Sequence, residues 1–169
     1  MKYGTSKTTS FLILMLLGWS SLKGMEPTRI PALQLTALDG QVIKTADLPS
    51  KGHWLLMYVT PTSHFCLDAL KLLRKGDYPK LPGNAVIIVG GSIDDAKVLQ
   101  AKFPDLATAE WLTDPGQDVF RLLKLRGLPS IIGVNQQTMQ WISIGAADPI
   151  ALKSMLNTWL DQGDPQAKP

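Results

Sequence analysis

The stretch 54–66, which reads WLLMYVTPTSHFC, decides the fold. Its first part, Trp54–Val59, is a continuous apolar run, which is typical of a β-strand buried on both faces of a sheet. Thr60-Pro61-Thr62 interrupts the run, and Ser63 is a favoured residue for a helix N-cap. An apolar stripe at helical spacing follows (Cys66, Leu70 and Leu73). The stretch therefore predicts a buried strand that leads through a short turn into a helix ending at Gly76.

Strands and helices alternate along the rest of the chain. Before the central stretch, two short β-prone runs flank Asp39-Gly40, a strong signal for a β-hairpin. After it, the patterns predict a strand at Ala85–Val89, a helix capped by Ser92 and closed by Pro104, a short strand at Ala109–Thr113, a helix at Pro115–Leu125, a hairpin of Leu128–Val134 with Met139–Ile144, and a last helix from Asp148-Pro149 to about Leu160. This order predicts one α/β domain with a central mixed sheet.

The composition supports a packed domain and excludes a polyanion-binding protein. The chain has 169 residues, of which 45% are hydrophobic and 18% charged, enough for one core. The formal net charge is +3, but Lys2, Lys7 and Lys23 all lie in the first 24 residues, which contain no acid. The remainder has 14 basic and 14 acidic residues and is therefore neutral. We expect no nucleic acid partner.

The first 24 residues have the three parts of an export signal. Lys2 and Lys7 form a positive segment, Phe11–Trp19 is a nine-residue apolar segment, and small residues follow between 20 and 24. The apolar segment is well short of the ~20 residues that span a bilayer. We therefore expect a signal peptide at 1–24, a domain at 25–162, a polar tail at 163–169, no stable membrane span after cleavage, and a periplasmic or secreted protein.

The order of elements and three local patterns resemble the thioredoxin-like superfamily. The most similar branch is the exported thiol-disulfide proteins related to TlpA, ResA and the cytochrome-maturation thioredoxins. The patterns are the hairpin with Leu38-Asp39-Gly40, the buried strand that leads into a helix, and Arg126-Gly127-Leu128-Pro129 before a strand. The last looks like the family's Gly-x-Pro-Thr loop, whose proline is cis and faces the active site. The resemblance covers roughly residues 32–162 and implies a three-layer α/β/α domain with an N-terminal β-hairpin.

The chain departs from this family at the residues that carry its chemistry. Where the family has Cys-x-x-Cys, this sequence reads Ser63-His64-Phe65-Cys66, and it has one cysteine in all. Thiol-disulfide exchange needs a thiolate, which a serine hydroxyl cannot supply. A lone cysteine cannot cycle between dithiol and disulfide. The strand 54–59 also lacks the acidic residue that the family often places under the site. The sequence therefore predicts no dithiol-disulfide oxidoreductase activity.

The resemblance implies that recognition can survive the loss of this chemistry. The family receives extended peptides in a groove beside its cis-proline, and strand addition needs only a free backbone edge. We therefore predict a protein- or peptide-binding module in which Leu128 and Pro129 present the backbone (with apolar and ring contacts from Phe65, Pro61 and His64). The expected partner is an extended peptide or an envelope protein.

Two other functions remain open at this stage. Peroxiredoxins, in the same superfamily, use Thr/Ser-x-x-Cys at this place, so Cys66 could be a single-thiol redox catalyst, a peroxidase assisted by Ser63 and Arg126. Cys66 could also act as a thiol-disulfide partner that forms a mixed disulfide with another protein. Alternatively, the chain could be a structural subunit of an envelope assembly. Against the catalytic function stands the simpler interpretation that Cys66 is a buried core residue and Ser63 an N-cap. The two histidines give too few ligands for a metal site, and no motif indicates a cofactor.

Overall fold

The computed structural model describes residues 28–48, 52–73, 81–145 and 148–162. The predicted signal peptide, the polar tail and the predicted helix end at Gly76 lie outside these residues. The strands are β1 Thr28–Arg29, β2 Gln34–Ala37, β3 Val42–Lys44, β4 His53–Val59, β5 Ala85–Val89, β6 Glu110–Thr113, β7 Ser130–Asn135 and β8 Thr138–Ile144. The helices are α1 His64–Leu72, α2 Ile93–Lys102, α3 Asp118–Leu122 and α4 Pro149–Gln162.

One mixed sheet forms the centre of the domain. Its strand order is β1-β8-β7-β4-β5-β6-β2-β3. Strands β4, β5 and β6 run parallel, whereas β7, β8 and the N-terminal strands pair antiparallel. The predicted α/β class and the central mixed sheet are therefore confirmed.

Strand β4 is buried on both faces, as its continuous apolar run predicts. Leu55, Met57 and Val59 belong to a core cluster that includes residues of α1, α2 and α4. The alternate side chains of β4 belong to a second cluster on the other face, with residues of α3 and of the N-terminal segment (Trp54, Leu56 and Tyr58). Successive side chains of a strand point to opposite faces, so one apolar run supplies both cores. The result is a three-layer α/β/α arrangement.

The N-terminal hairpin is present and is part of the main sheet. Asp39 accepts a hydrogen bond from the Gln41 backbone N–H at 2.9 Å, and Gly40 has a φ of 89°, which suits a turn. Strand β2 pairs with β3 and also with β6, through Thr36 and Thr113. The sequence predicts the hairpin but not this pairing, nor strand β1, which pairs with the start of β8.

Helix α3 is shorter than the predicted helix at Pro115–Leu125. The Asp114 carboxylate accepts hydrogen bonds from the backbone N–H groups of Asp118 and Val119, both at 2.9 Å, and so sets the start of the helix. Lys124 has a φ of 51°, a left-handed conformation that ends it. The other predicted helices and strands are confirmed, with ends that differ by a few residues.

Candidate functional site

One edge of the sheet collects the loops that carry most of the predicted site residues. The parallel strands β4, β5 and β6 end at this edge, and α1 follows β4 directly. At the end of β4, Tyr58 pairs with Ser130 of β7, which pairs in turn with Ile144 of β8. Residues 60–66, the loop 126–129 and the end of β8 therefore lie along the same edge.

Ser63 caps the N-terminus of α1. Its hydroxyl oxygen accepts a hydrogen bond from the Cys66 backbone N–H at 3.4 Å, and its carbonyl accepts one from Leu67 at 3.2 Å. The preceding turn is closed by a hydrogen bond from the Ser63 N–H to the Thr60 carbonyl at 3.4 Å. The Ser63 hydroxyl thus satisfies one of the free N–H groups of the first turn, which is the usual task of an N-cap serine.

Cys66 lies inside the protein. Its relative exposure is 0%, and it belongs to the core cluster under α1 together with Leu70 and Leu73. The sulfur accepts a hydrogen bond from the Thr60 backbone N–H at 3.4 Å. Among the described residues no other polar group is recorded with the sulfur, and Arg126 makes no hydrogen bond to Ser63 or Cys66. The three residues of the single-thiol hypothesis are therefore not joined into one polar site.

The loop before β7 is held in place on both sides. The Leu128–Pro129 peptide bond is cis, as the resemblance implied, and Pro129 is buried. The Ser130 hydroxyl donates to the Gly127 carbonyl at 2.7 Å, and the Gly145 N–H donates to the Pro129 carbonyl at 2.8 Å. The loop therefore presents a defined backbone path along the edge of the sheet.

Leu128 is the residue of this loop whose backbone has no hydrogen-bond partner among the described residues. Its half-buried side chain packs against both core clusters, so the residue is anchored. Within the described part of the chain, however, its backbone N–H and C=O make no hydrogen bond. Backbone polar groups of ordered residues are nearly always paired with protein or water. Leu128 thus offers one donor and one acceptor to an incoming extended chain.

Apolar side chains and rings are exposed along this edge of the sheet. Phe65 is 49% exposed and stacks on the exposed His64, with ring centroids 3.9 Å apart. Ile144 is 43% exposed and lies against Gly127, where an added Cβ would come within 2.7 Å of it. Pro61 is half-buried in the turn before α1.

A buried polar pair beside this edge has no counterpart among the residues predicted from the sequence. Asp114, only 4% exposed, accepts a hydrogen bond from the Tyr58 hydroxyl at 3.1 Å in addition to its two bonds to α3. Burial, followed by the Asp114 charge, raises the pKa of Tyr58 well above its usual value. The strand 54–59 contains no acid, and Asp114 instead follows β6, far along the chain. Because Tyr58 belongs to the opposite core cluster from Cys66, this acid does not lie beneath the thiol.

The described residues contain no group of three or more His, Cys, Asp or Glu side chains that could hold a metal ion. His53 begins β4 and thus lies at the opposite edge of the sheet, where it stacks on Trp159 with centroids 4.1 Å apart.

Across the residues that the structure covers, no helix has the length and apolar character needed to cross a membrane.

Comparison with known proteins identifies the fold. No family model and no curated protein matches the chain. Solved structures do match, among them a Chlorobium tepidum protein assigned as the thiol:disulfide interchange protein DsbE, with 18% identity, a TM-score of 0.66, and coverage of 80% of this chain and 98% of that one. Another is a secreted Mycobacterium tuberculosis disulfide oxidoreductase homologous to E. coli DsbE, with 15% identity, a TM-score of 0.62, and coverage of 75% and 95%. A third is the exposed lipoprotein thioredoxin Etrx1 of Streptococcus pneumoniae, with 17% identity, a TM-score of 0.57, and coverage of 76% and 99%. At these identities the likeness shows the thioredoxin-like fold, which confirms the fold implied by the sequence.

Proposed function

We propose that this protein, which has the thioredoxin-like fold, is exported and binds extended segments of client proteins at the cis-Pro129 loop without catalysing dithiol-disulfide exchange. The observation that carries the proposal is the backbone of Leu128 beside the buried Pro129, which makes no hydrogen bond to any described residue. An extended peptide can pair with one such N–H and C=O in the manner of an added strand. The exposed Phe65 and Ile144 would then contact its side chains.

The state of the thiol supports a binding function over a redox one. The chain has a single cysteine, so it cannot form the internal disulfide of a dithiol cycle. Its sulfur has no exposed surface and serves as a hydrogen-bond acceptor for Thr60. An external disulfide or peroxide has no access to it in this conformation. Burial of this kind is typical of inert, structural cysteines and gives no support to the peroxidase alternative.

Export is supported by the leader and by the kind of proteins that share the fold. Residues 1–24 carry the positive, apolar and small-residue segments of a signal peptide. One matching structure is of a secreted protein and another of an exposed lipoprotein. Outside the cytoplasm, a redox-inactive thioredoxin fold would meet unfolded segments of newly exported chains. N-terminal sequencing of the exported protein tests this part, and an N-terminus still at Met1 would contradict it.

Binding can be tested with an unfolded probe that has no free thiols. We suggest reduced, carboxymethylated α-lactalbumin, because its blocked cysteines exclude any redox contribution. Replacing Pro129 with alanine should displace Leu128 and remove about two backbone hydrogen bonds of about 1 kcal/mol each. That loss corresponds to roughly thirtyfold weaker binding by calorimetry or fluorescence anisotropy. Pro104→Ala, a proline removal after the C-terminus of α2, is the matched control and should bind normally.

Two readouts keep this test decisive. Thermal melting shows whether Pro129→Ala still folds. If it does not, amide hydrogen exchange in the unmodified protein takes its place, because a bound strand should slow exchange at the Leu128 N–H. Equal binding by a folded Pro129→Ala variant, or unchanged exchange at Leu128 with the probe bound, would overturn the proposal.

A further inference from the structure

The segment that leads into the loop at Pro129 carries two cations that form no ion pair with any described carboxylate. Lys124 and Arg126 are both exposed, whereas Leu125 between them is buried. Within the described part of the chain, no carboxylate forms an ion pair with either cation, although Arg121 nearby is paired with Asp118. An arginine with its guanidinium free is suited to bind a carboxylate with two parallel hydrogen bonds.

The acids of this edge are already engaged or lie elsewhere on it. Asp114 is buried with three hydrogen bonds. Asp148 accepts hydrogen bonds from the N–H groups of Ile150 and Ala151 at 3.0 and 2.9 Å, and so caps α4. The exposed Asp94 belongs to α2, which follows β5, on the far side of β4 from the loop. Among the described residues around Pro129, Lys124 and Arg126 are therefore cations that no carboxylate pairs, and exposed apolar groups lie on the same edge.

We infer that the preferred client is an extended segment in which acidic residues adjoin a bulky apolar side chain, and that Arg126 selects for the acid. The inference rests on the proposed function, because it concerns the same loop. Charge complementarity supports this partner, because two cations that form no ion pair with a described residue favour a carboxylate and disfavour a lysine. The exposed Phe65 and Ile144 supply the apolar contact that such a segment would cover. Leu128, two residues after Arg126, pairs with the backbone of the same segment.

The test compares three synthetic peptides with the full chain. Each is a labelled Gly/Ser-based decapeptide with a central Phe-Val pair, flanked by glutamates, glutamines or lysines. Glutamate flanks should bind about tenfold more tightly than lysine flanks at low salt, and ~0.5 M salt should remove most of the difference. Arg126→Glu should reverse the order. Lys97→Glu makes the same change in net charge at an exposed position of α2, so it is the matched control and should preserve the order.

The outcomes separate this inference from the proposed function. Reversal of the order by Arg126→Glu alone supports the inference. If all three peptides bind equally and Pro129→Ala weakens each of them, the binding function stands and the acidic preference is overturned. If Lys97→Glu reverses the order as well, only overall charge is at work and Arg126 is not selective. If none of the peptides nor the unfolded probe binds, the proposed function fails, and the inference fails with it.

Discussion

Replacing Cys66 with alanine should destabilise the fold by about 2 kcal/mol and leave client binding unchanged. The sulfur is fully buried among the apolar side chains of α1 and the sheet. It also accepts the hydrogen bond of the Thr60 backbone N–H at 3.4 Å. The substitution thus removes a packed atom and an acceptor at once, while the exposed groups that we assign to binding stay in place.

The magnitude follows from these two losses. Removing one buried heavy atom costs about 1 kcal/mol, as for a methylene group. Leaving the Thr60 N–H without its acceptor costs about another 1 kcal/mol, at the low end of the usual range, because sulfur is a weak acceptor and Thr60 is only half-buried. Cys66→Ser should restore the acceptor but not the volume, whereas Cys66→Val should restore the volume but not the acceptor. Comparing the three variants separates packing from hydrogen bonding.

The assay is urea unfolding followed by tryptophan fluorescence. With an m-value of about 2 kcal/mol/M, the loss corresponds to a midpoint about 1 M lower. Thermal melting should show a decrease of about 4–8 °C. In the unmodified protein, iodoacetamide should label Cys66 only after denaturant is added. Rapid labelling of the folded protein without denaturant would refute a structural role for Cys66.

Two further predictions follow from the same contacts. Ser63→Cys should create a Cys-x-x-Cys at the start of α1 and give a measurable rate of insulin reduction. The introduced cysteine would lie at a helix N-terminus, which favours its thiolate. A rate equal to that of the unmodified protein would show that a second cysteine is not sufficient for this activity. Tyr58→Phe should cost about 1 kcal/mol at neutral pH through the lost bond to Asp114. Because the pKa of Tyr58 is raised in the folded protein, the contribution of its hydroxyl to stability is fully present below the pKa of about 10 that tyrosine has in the unfolded chain. That contribution is lost as pH rises beyond this value. The free energies of unfolding of Tyr58→Phe and the unmodified protein should therefore converge above about pH 10. Urea unfolding that gives the same difference between the two proteins at pH 8 and at pH 11 would contradict this account.

Local patterns were sufficient to predict most of the strands and helices and the N-cap position of Ser63. The apolar run Trp54–Val59 predicts a doubly buried strand because no polar side chain interrupts it. Ser63 and Ser92 predict helix starts because a hydroxyl can accept from the N–H groups of the first turn, and both act as N-caps in the structure. The bounds of α3 were not predicted because its start depends on a carboxylate that precedes the helix by four residues and its end on a left-handed Lys124.

The sequence by itself determined that strands alternate with helices in this chain, that a serine stands three residues before the cysteine, and that one cysteine leaves no partner for an internal disulfide. Those features are local or compositional, and the period of side chains along an element encodes the alternation directly. Only the tertiary structure decided that Cys66 is inaccessible, that Asp114 holds Tyr58 across 56 residues, and that the Leu128 backbone is unpaired within the part of the chain described. Such facts depend on which distant segments pair and pack, and a local pattern carries no information about a partner far along the chain.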